Sequence, residues 1–268
     1  MPTHPPTPAA QQALDAIRAH PARSLLAFDF DGTLAPIVED PEKSRPYPGA
    51  VEALAALAER GVRVAVITGR PAEVAVGYGG FGEIEGMIVL GHYGAERWDQ
   101  RTGEVVAPPT PPALDEVRRE LPAILGDTDA WVEEKGRAVA VHTRRAKDPQ
   151  GLWETLRQPI TALATRHALL VEPGRLVLEI RPPGTDKGAA LKKLAQETTP
   201  AAILYAGDDL GDLPAFDAVE TLRETGTPGI LVCSASKEVT ALTTRADLTV
   251  NGPAGVVALL DQLVNELS

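Results

Sequence analysis

Residues 25–34 read Leu-Leu-Ala-Phe-Asp-Phe-Asp-Gly-Thr-Leu, an apolar run that ends in two aspartates and a glycine. The apolar part predicts a buried strand, and Gly32 predicts its end. Side chains two residues apart on a strand share a face, so the carboxylates of Asp29 and Asp31 are expected on one side. Like charges held that close repel each other and lose solvation, which a metal ion or a shared proton relieves. A solvated turn that closes a strand is the alternative interpretation.

The composition is that of an acidic, folded protein. The chain has 268 residues, 44% of them hydrophobic, and carries 26 Lys and Arg against 37 Asp and Glu, a formal net charge of -11. This length is enough to bury one large core or two smaller ones. The negative charge gives no electrostatic reason to expect a nucleic-acid or anionic-membrane partner. The single cysteine, Cys233, excludes an intramolecular disulfide, and no His or Cys cluster has zinc spacing.

The first ten residues contain four prolines and no apolar run. They have the features of neither a signal peptide nor a membrane anchor. We therefore expect a cytoplasmic protein without a membrane or nucleic-acid partner, and we expect it to be a monomer.

A second strand and its turn follow the first. Residues 62–68 form an apolar run that leads into Thr68-Gly69-Arg70-Pro71, and residues 49–60 between the two runs have the apolar spacing of a helix. Strand, helix, strand is the unit of a parallel sheet, and ligands bind beyond the carboxyl ends of its strands. Thr68 is therefore expected at the same edge as the paired aspartates, where its hydroxyl can bind an anion. The alternative is that Thr68-Gly69 is an ordinary turn between a strand and a helix, without a ligand.

Two proline-rich segments, Ala107–Pro112 and Arg181–Gly184, bracket a separate region. Prolines at this density predict stiff, extended hinges. Between them the apolar patterns predict a helix, two strands, a helix and two strands, which fits a small sheet covered by two helices. We predict a cap domain at residues 108–184, inserted into a core made of residues 1–107 and 185–268.

The core pattern resumes at Lys187, the start of an apolar-periodic helix. A helix dipole disfavours positive charge at this end, so an anion is expected beside Lys187. The next predicted strand, residues 203–206, ends in Gly-Asp208-Asp209-Leu-Gly-Asp212. Carboxylates from two neighbouring strand ends suit Mg2+ that keeps several waters and binds a phosphate. The alternative interpretation is a solvated acidic loop. It explains one acidic cluster after a strand well, but it explains two such clusters, at Asp29 and at Asp208, poorly.

The sequence contains four motifs at predicted strand and helix ends: Asp29-x-Asp31-Gly-Thr, Thr68-Gly-Arg, Lys187, and Asp208-Asp209-x-x-Asp212. In kind and order they resemble the haloacid-dehalogenase superfamily of aspartate-dependent phosphatases. The resemblance implies an α/β fold with a Rossmann-like parallel sheet, and the αββαββ insert is similar to its C2-type caps. The segments that resemble trehalose-6-phosphate phosphatases are Gly91–Glu96, Glu133–Gly136, Val141–Arg144, Glu179–Pro182 and Asp186–Gly188.

The resemblance also implies residue roles. Asp29 is the nucleophile that forms an aspartyl phosphate, and Asp31 is the general acid and base. The catalytic set that it implies is Asp29, Asp31, Thr68 and Lys187. The implied Mg2+ ligands are the Asp29 carboxylate, the Asp31 backbone carbonyl, Asp208, and Asp212 as a ligand or as a partner of a ligand.

The implied substrate-binding residues are Arg70, Glu133, Lys135, His142, Arg144 and Glu179. Each of the five cap residues also fits a solvated strand face, and about one or two of them are expected to be bystanders. His142 fits a structural histidine equally well.

The sequence departs from the family at two places. Leu210–Leu213 lacks a glutamate that commonly follows the acidic cluster, and Thr143 stands where an aromatic residue is common. Three functions stay open: a Mg2+-dependent trehalose-6-phosphate phosphatase, another capped phosphatase for a sucrose-, mannosylglycerate- or hexose-phosphate, and a noncatalytic sugar-phosphate-binding module. The third requires the loss of nucleophile or metal acids, and these are present.

Overall fold

In residues 7–174, 176–235 and 240–267, which the computed structural model describes, the strands form two sheets, one of eight strands and one of four. The chain divides into two compact units accordingly. One unit contains the residues up to Ala107 and from Asp186 onward, and the other is Pro108–Thr185. The sequence predicts the second of these boundaries one residue earlier.

The strands of both sheets are short, as is usual in α/β proteins. In chain order they are β1 (Ser24–Phe28), β2 (Arg63–Ile67), β3 (Ile88–Gly91), β4 (Glu96–Asp99), β5 (Glu104–Val106), β6 (Trp131–Glu134), β7 (Val139–His142), β8 (Leu170–Gly174), β9 (Val177–Arg181), β10 (Ala202–Gly207), β11 (Gly229–Ser234) and β12 (Leu248–Val250).

Helices connect successive parallel strands of the larger sheet, as crossover connections require. In chain order they are α1 (Pro8–Ala19), α2 (Ala50–Glu59), α3 (Ala72–Gly79), α4 (Ala113–Leu125), α5 (Pro149–Arg166), α6 (Lys187–Thr198), α7 (Leu213–Glu224), α8 (Thr240–Thr243) and α9 (Gly252–Glu266).

The larger sheet has the strand order β12-β11-β10-β1-β2-β3-β4-β5, with β1 near its middle. All five residues of β1 are buried. Leu26 and Phe28 join a cluster with α1, α2, α3 and α9, whereas Leu25 and Ala27 join a second cluster with α6 and α7. Both faces of the sheet are therefore covered by helices, which explains the continuous apolar run of this strand. The predicted α/β fold with a Rossmann-like parallel sheet is confirmed.

The carboxyl ends of β1, β10 and β2 meet at one edge of this sheet. Phe28, the last residue of β1, pairs with Ala206 of β10. The ladder continues for one step, because the N–H of Asp29 donates to the carbonyl of Ala206 at 2.9 Å. Asp29, Thr68 and Asp208 therefore leave neighbouring strands at the edge where open α/β sheets bind ligands.

Strands β4 and β5 are absent from the sequence prediction. They run antiparallel to their neighbours at one edge of the sheet. Their residues are mostly charged or exposed, and Val106 of β5 is 68% exposed. A half-solvated edge strand has no continuous apolar run, so the pattern that predicts buried strands does not detect it.

The sequence also predicts a helix near Ala235–Leu242, which lies partly outside the described residues, since 236–239 are not among them. The described part of it is the short helix α8. In the ranges that the structure describes, no helix is long and apolar enough to span a membrane.

The second unit has the element order α4-β6-β7-α5-β8-β9, which is the predicted αββαββ pattern. Its sheet is antiparallel, with the strand order β6-β7-β9-β8. The two helices pack on one face of the sheet, and the core between them includes Leu114, Leu121, Val141, Ile160 and Leu178. The unit thus has a hydrophobic core of its own.

The start of α6 packs closely on the start of α7, so a larger residue at this contact should affect the stability of the fold. A Cβ at Gly188 would lie 2.1 Å from the carbonyl oxygen of Pro214, so an alanine there must displace backbone. We expect Gly188→Ala to lower the free energy of unfolding by about 1–3 kcal/mol, as overpacking does. Gly77, in α3, has no atom within 4 Å of such a Cβ. As the control, Gly77→Ala should raise the same quantity by about 0.5–1 kcal/mol. Urea unfolding measures both, and a wild-type midpoint for Gly188→Ala would contradict the prediction.

Candidate active site

Three buried carboxylates come together at the ends of β1 and β10. Each of Asp29, Asp208 and Asp212 offers one oxygen, and these oxygens lie within 4.8 Å of one another. The order of the sheet explains the meeting, because β1 and β10 are neighbours and each is followed directly by an acidic residue. Side chains of this type rarely become buried unless a cation pairs with them.

Lys187 provides the cation that the structure shows. Its Nζ donates to Oδ1 of Asp29 and to Oδ1 of Asp212, both at 2.7 Å. Lys187 is the first residue of α6, and the preceding Asp186 caps the helix by accepting from the N–H of Ala189. The anionic neighbours expected at this unfavourable helix position are therefore two carboxylates.

The charges of this cluster shift the pKa values of its members. Burial raises the pKa of Asp29 well above its usual range, although Lys187 acts in the opposite direction. Burial, together with the charges of Asp29 and Asp212, raises the pKa of Asp208 to about 10. Burial lowers the pKa of Lys187, but Asp212 and Asp29 outweigh it and hold that pKa well above its usual value. One ammonium does not balance three ionised carboxylates, so burial and mutual repulsion favour the protonated forms of Asp29 and Asp208.

The donor set fits a hard divalent cation. Among the described residues, no N–H or O–H donates to the carboxylate of Asp208, although the residue is buried. Its oxygens rest against Gly32, where a Cβ would lie 2.0 Å from Oδ2. Carboxylates that are buried without hydrogen-bond donors bind metals readily, and oxygen ligands of this kind suit Mg2+.

Asp212 differs from the other two acids because its oxygens are already occupied. Oδ1 accepts from Lys187 and from the hydroxyl of Tyr205, the latter at 2.5 Å. Oδ2 accepts from the backbone N–H groups of Asp208, at 2.9 Å, and Asp209, at 3.2 Å. Four donors use the lone pairs of this carboxylate, so it holds Lys187 and the acidic loop in place.

Tyr205 is a site residue that the sequence reasoning missed. It is fully buried in β10, where its neighbours in the strand are apolar. A buried tyrosine hydroxyl needs a hydrogen-bond partner, so a tyrosine in an apolar strand three residues before an acidic cluster was a usable signal. Burial, followed by the charge of Asp212, raises the pKa of Tyr205 well above its usual value.

Asp31 has different partners from Asp29. Arg70 binds both of its oxygens, with Nε 2.6 Å from Oδ2 and Nη2 2.7 Å from Oδ1. The hydroxyl of Ser44 donates to Oδ1 at 3.0 Å. Because β1 ends at Phe28, the alternation of a strand does not extend to this aspartate. Strand geometry therefore gives no reason to place both carboxylates on one side. Ser44 lies in a polar loop, and no pattern in the sequence marked it as a partner of Asp31.

Thr68 and Arg70 form the turn after β2. Thr68 is buried, and its N–H donates to the carbonyl of Leu90 at 3.0 Å. Its hydroxyl accepts from the N–H of Arg70 at 3.2 Å. The guanidinium of Arg70 lies over the rings of Phe30 and Tyr78, so its position is defined by packing as well as by Asp31.

The second unit brings four of its predicted residues together on one face of the sheet. Glu133 pairs across the sheet with Ala140, and Ala140 pairs with Glu179, so these positions share a face. Nε2 of His142 lies 2.8 Å from Oε2 of Glu133. Nζ of Lys135 donates to Oε2 of Glu179 at 2.5 Å. We call Glu133, Lys135, His142 and Glu179 the polar cluster of the second unit.

Two features of this polar cluster could not be read from the sequence. The ring of Trp131 stacks on that of His142, with centroids 4.1 Å apart. Oε1 of Glu179 is buried and has no hydrogen-bond partner among the described residues. A buried acceptor without a donor is costly, and a hydroxyl of a ligand can satisfy it. Arg144 follows β7 and is half-buried.

The comparisons with known proteins identify the family of this chain. The trehalose-phosphatase family model matches residues 27–253. A trehalose-phosphate phosphatase of Mycobacterium marinum is 32% identical over 261 residues, covering 92% of this chain. The chain spans only 63% of that relative's length.

Solved structures show the same fold. The C-terminal domain of the Candida albicans trehalose-6-phosphate phosphatase has a TM-score of 0.80 at 22% identity, over 98% of this chain and 99% of that one. A haloacid dehalogenase-like hydrolase from Bacteroides thetaiotaomicron has a TM-score of 0.64 at 16% identity, over 90% and 99%. These likenesses concern the fold, whereas the family model matches most of the sequence. The chain therefore belongs to the trehalose-phosphatase family.

Proposed function

We propose that this chain hydrolyses trehalose 6-phosphate to trehalose and inorganic phosphate, with Mg2+ as cofactor and an aspartyl phosphate as intermediate. The observation that carries the proposal is the buried group of Asp29, Asp208 and Asp212 around Lys187. Family membership supports the substrate. The first unit is the catalytic core in this proposal, and the second is the cap.

The proposed chemistry follows from two properties of a phosphate monoester, its negative charge and its slow hydrolysis. The ester is anionic and its hydrolysis in water is extremely slow, so its charge must be neutralised and a nucleophile aligned. Asp29 attacks phosphorus; its bond to phosphorus forms as the bond to the sugar oxygen breaks. Asp31 protonates the departing oxygen, and it then takes a proton from the water that cleaves the aspartyl phosphate. Thr68 and Lys187 bind the phosphoryl oxygens.

The protein groups around the metal have separate tasks. Asp29, Asp208 and the backbone carbonyl of Asp31 are the ligands in this proposal. The four hydrogen bonds to Asp212 support a role in holding Lys187 and the loop. Mg2+ supplies, when bound, the positive charge that this cluster lacks.

Arg70 holds the general acid in the resting protein. Its two bonds to Asp31 orient that carboxylate, with Ser44 as the third donor. A planar guanidinium that binds one anion in this bidentate way also suits a phosphate, which supports its predicted role in substrate binding.

The sugar is bound, in this proposal, by the polar cluster of the second unit together with Arg144. Fixed polar groups discriminate well between sugars, because a wrong substrate leaves a buried group without a partner. The observation that supports this role is Oε1 of Glu179, which is buried and accepts no hydrogen bond from any residue that the structure describes. A monomeric state and a cytoplasmic location stay predictions of the sequence.

Phosphate release from a panel of sugar phosphates tests the proposal. We expect trehalose 6-phosphate to be the preferred substrate, with release that requires Mg2+ and stops in EDTA. Preference for a sucrose-, mannosylglycerate- or hexose-phosphate would reject the substrate. Turnover without Mg2+ would reject the cofactor, and no release from any member would favour a noncatalytic binding module.

The role of Glu179 can be tested by separating sugar binding from phosphate chemistry. Glu179→Gln places a donor where hydroxyls need acceptors, so KM for trehalose 6-phosphate should rise about tenfold. Hydrolysis of p-nitrophenyl phosphate, which has no sugar, should stay within about twofold. Glu134→Gln is the matched control, because Glu134 binds Arg118 of α4 and not the polar cluster. Equal losses on both substrates would contradict a role in sugar recognition.

A further inference from the structure

The segment Gly91–Glu96 lies between β3 and β4 and has no part in the chemistry described above. It contains a turn at His92–Gly94 in which three successive residues have positive φ, namely 46° for His92, 58° for Tyr93 and 98° for Gly94. Side chains other than glycine adopt this conformation only at a cost in backbone strain. Strain of this kind persists only where the surrounding structure imposes it.

The strained turn is bonded to the turn that carries Thr68 and Arg70. The N–H of His92 donates to the carbonyl of Arg70, and the N–H of Tyr93 donates to the carbonyl of Thr68, both at 2.9 Å. A Cβ at Gly69 would lie 2.7 Å from the hydroxyl oxygen of Tyr93, so the tyrosine ring covers this residue. The phosphate-binding turn is thus held from one side by the backbone and by a side chain.

The same segment touches the helix that carries Lys187. A Cβ at Gly94 would lie 2.5 Å from the Cβ of Ala190, in the first turn of α6. A Cβ at Gly91 would lie 2.3 Å from the backbone nitrogen of Ala72, the first residue of α3. The turn that carries Thr68 and the helix that carries Lys187, both assigned to phosphate binding, therefore pack against the segment Gly91–Glu96.

Glu96 completes this arrangement from β4. Helix α3 begins after Pro71, whose side chain makes no capping hydrogen bond. Oε2 of Glu96 accepts from the N–H of Ala72 at 2.8 Å, and Oε1 lies 3.7 Å from Nε2 of His92. A carboxylate at a helix N-terminus satisfies a free N–H and suits the helix dipole. The cap that the local sequence cannot provide comes from another strand.

We propose that Glu96 is a positioning residue for phosphate binding. By capping α3 it fixes the residue that follows the Thr68–Pro71 turn, and thereby the positions of Thr68 and Arg70. This proposal rests on the proposed function, in which those two residues bind the substrate.

Two variants separate the reach of the Glu96 side chain from its charge. Glu96→Gln keeps an acceptor oxygen at the same distance but removes the charge, whereas Glu96→Asp keeps the charge and shortens the side chain. We expect Glu96→Asp to weaken the binding of inorganic phosphate about tenfold, which matches the loss of one cap, and Glu96→Gln to stay within about threefold. KM for trehalose 6-phosphate should follow the same order. Glu104→Ala, on the exposed edge strand β5, is the matched control.

Calorimetric titration with inorganic phosphate and MgCl2, on the full chain, measures the affinity without turnover. Thermal unfolding of each variant accompanies it. Wild-type affinity in Glu96→Asp would overturn the proposal even if that variant is less stable, because the role would then be purely structural. Weaker binding by Glu96→Gln than by Glu96→Asp would overturn it as well, because charge would then matter more than reach. A wild-type protein that binds phosphate but releases none from sugar phosphates would contradict the proposed function alone, and one that binds no phosphate would overturn this proposal.

Discussion

The ammonium group of Lys187 between the carboxylates of Asp29 and Asp212 is the interaction on which the site depends. It joins the end of β1, the acidic loop after β10 and the first turn of α6. A buried ion pair repays its desolvation only when the remaining hydrogen-bonding positions are also satisfied. Asp212 meets this condition with donors from Tyr205 and two backbone groups. Lys187 does not also balance Asp208, and the pKa values of Asp29 and Asp208 are raised. The proposed role of Mg2+ is to supply the positive charge that favours the ionised forms of both acids.

Close packing around these carboxylates also explains two glycines of the motifs. A Cβ at Gly32 would collide with the carboxylate of Asp208, and a Cβ at Gly207 would lie 2.3 Å from Cγ of Asp212. Gly32 also has a φ of +85°, which other residues avoid. Gly32 thus lets Asp208 approach the backbone that follows the neighbouring strand β1, and Gly207 lets Asp212 approach the end of its own strand, β10. A phosphoryl group is proposed to bind at these strand ends.

Local patterns predicted much of the fold and of the site. Apolar runs that end in acidic or hydroxyl residues located β1, β2 and β10, and the parallel order of these strands placed their ends at one edge. The partners that fix each side chain were not predictable in the same way. Ser44 and Glu96 make hydrogen bonds to residues that are distant in the sequence. Tyr205, which donates to Asp212, is itself hidden in an apolar strand. Asp31 lies beyond the end of β1, and its partners, Arg70 and Ser44, come from other segments of the chain.

The most direct measurement of the central claim is the turnover of Asp29→Asn on trehalose 6-phosphate with Mg2+, beside that of Asp209→Asn. An amide at residue 29 removes the nucleophile and one of the crowded negative charges, so kcat should fall by at least about a thousandfold while the circular dichroism spectrum is unchanged. Asp209 accepts from the N–H of Gly211, a bond that asparagine can also make, so the control should stay within about threefold of the wild type. Near-normal turnover by Asp29→Asn would contradict the assignment of Asp29 as the nucleophile.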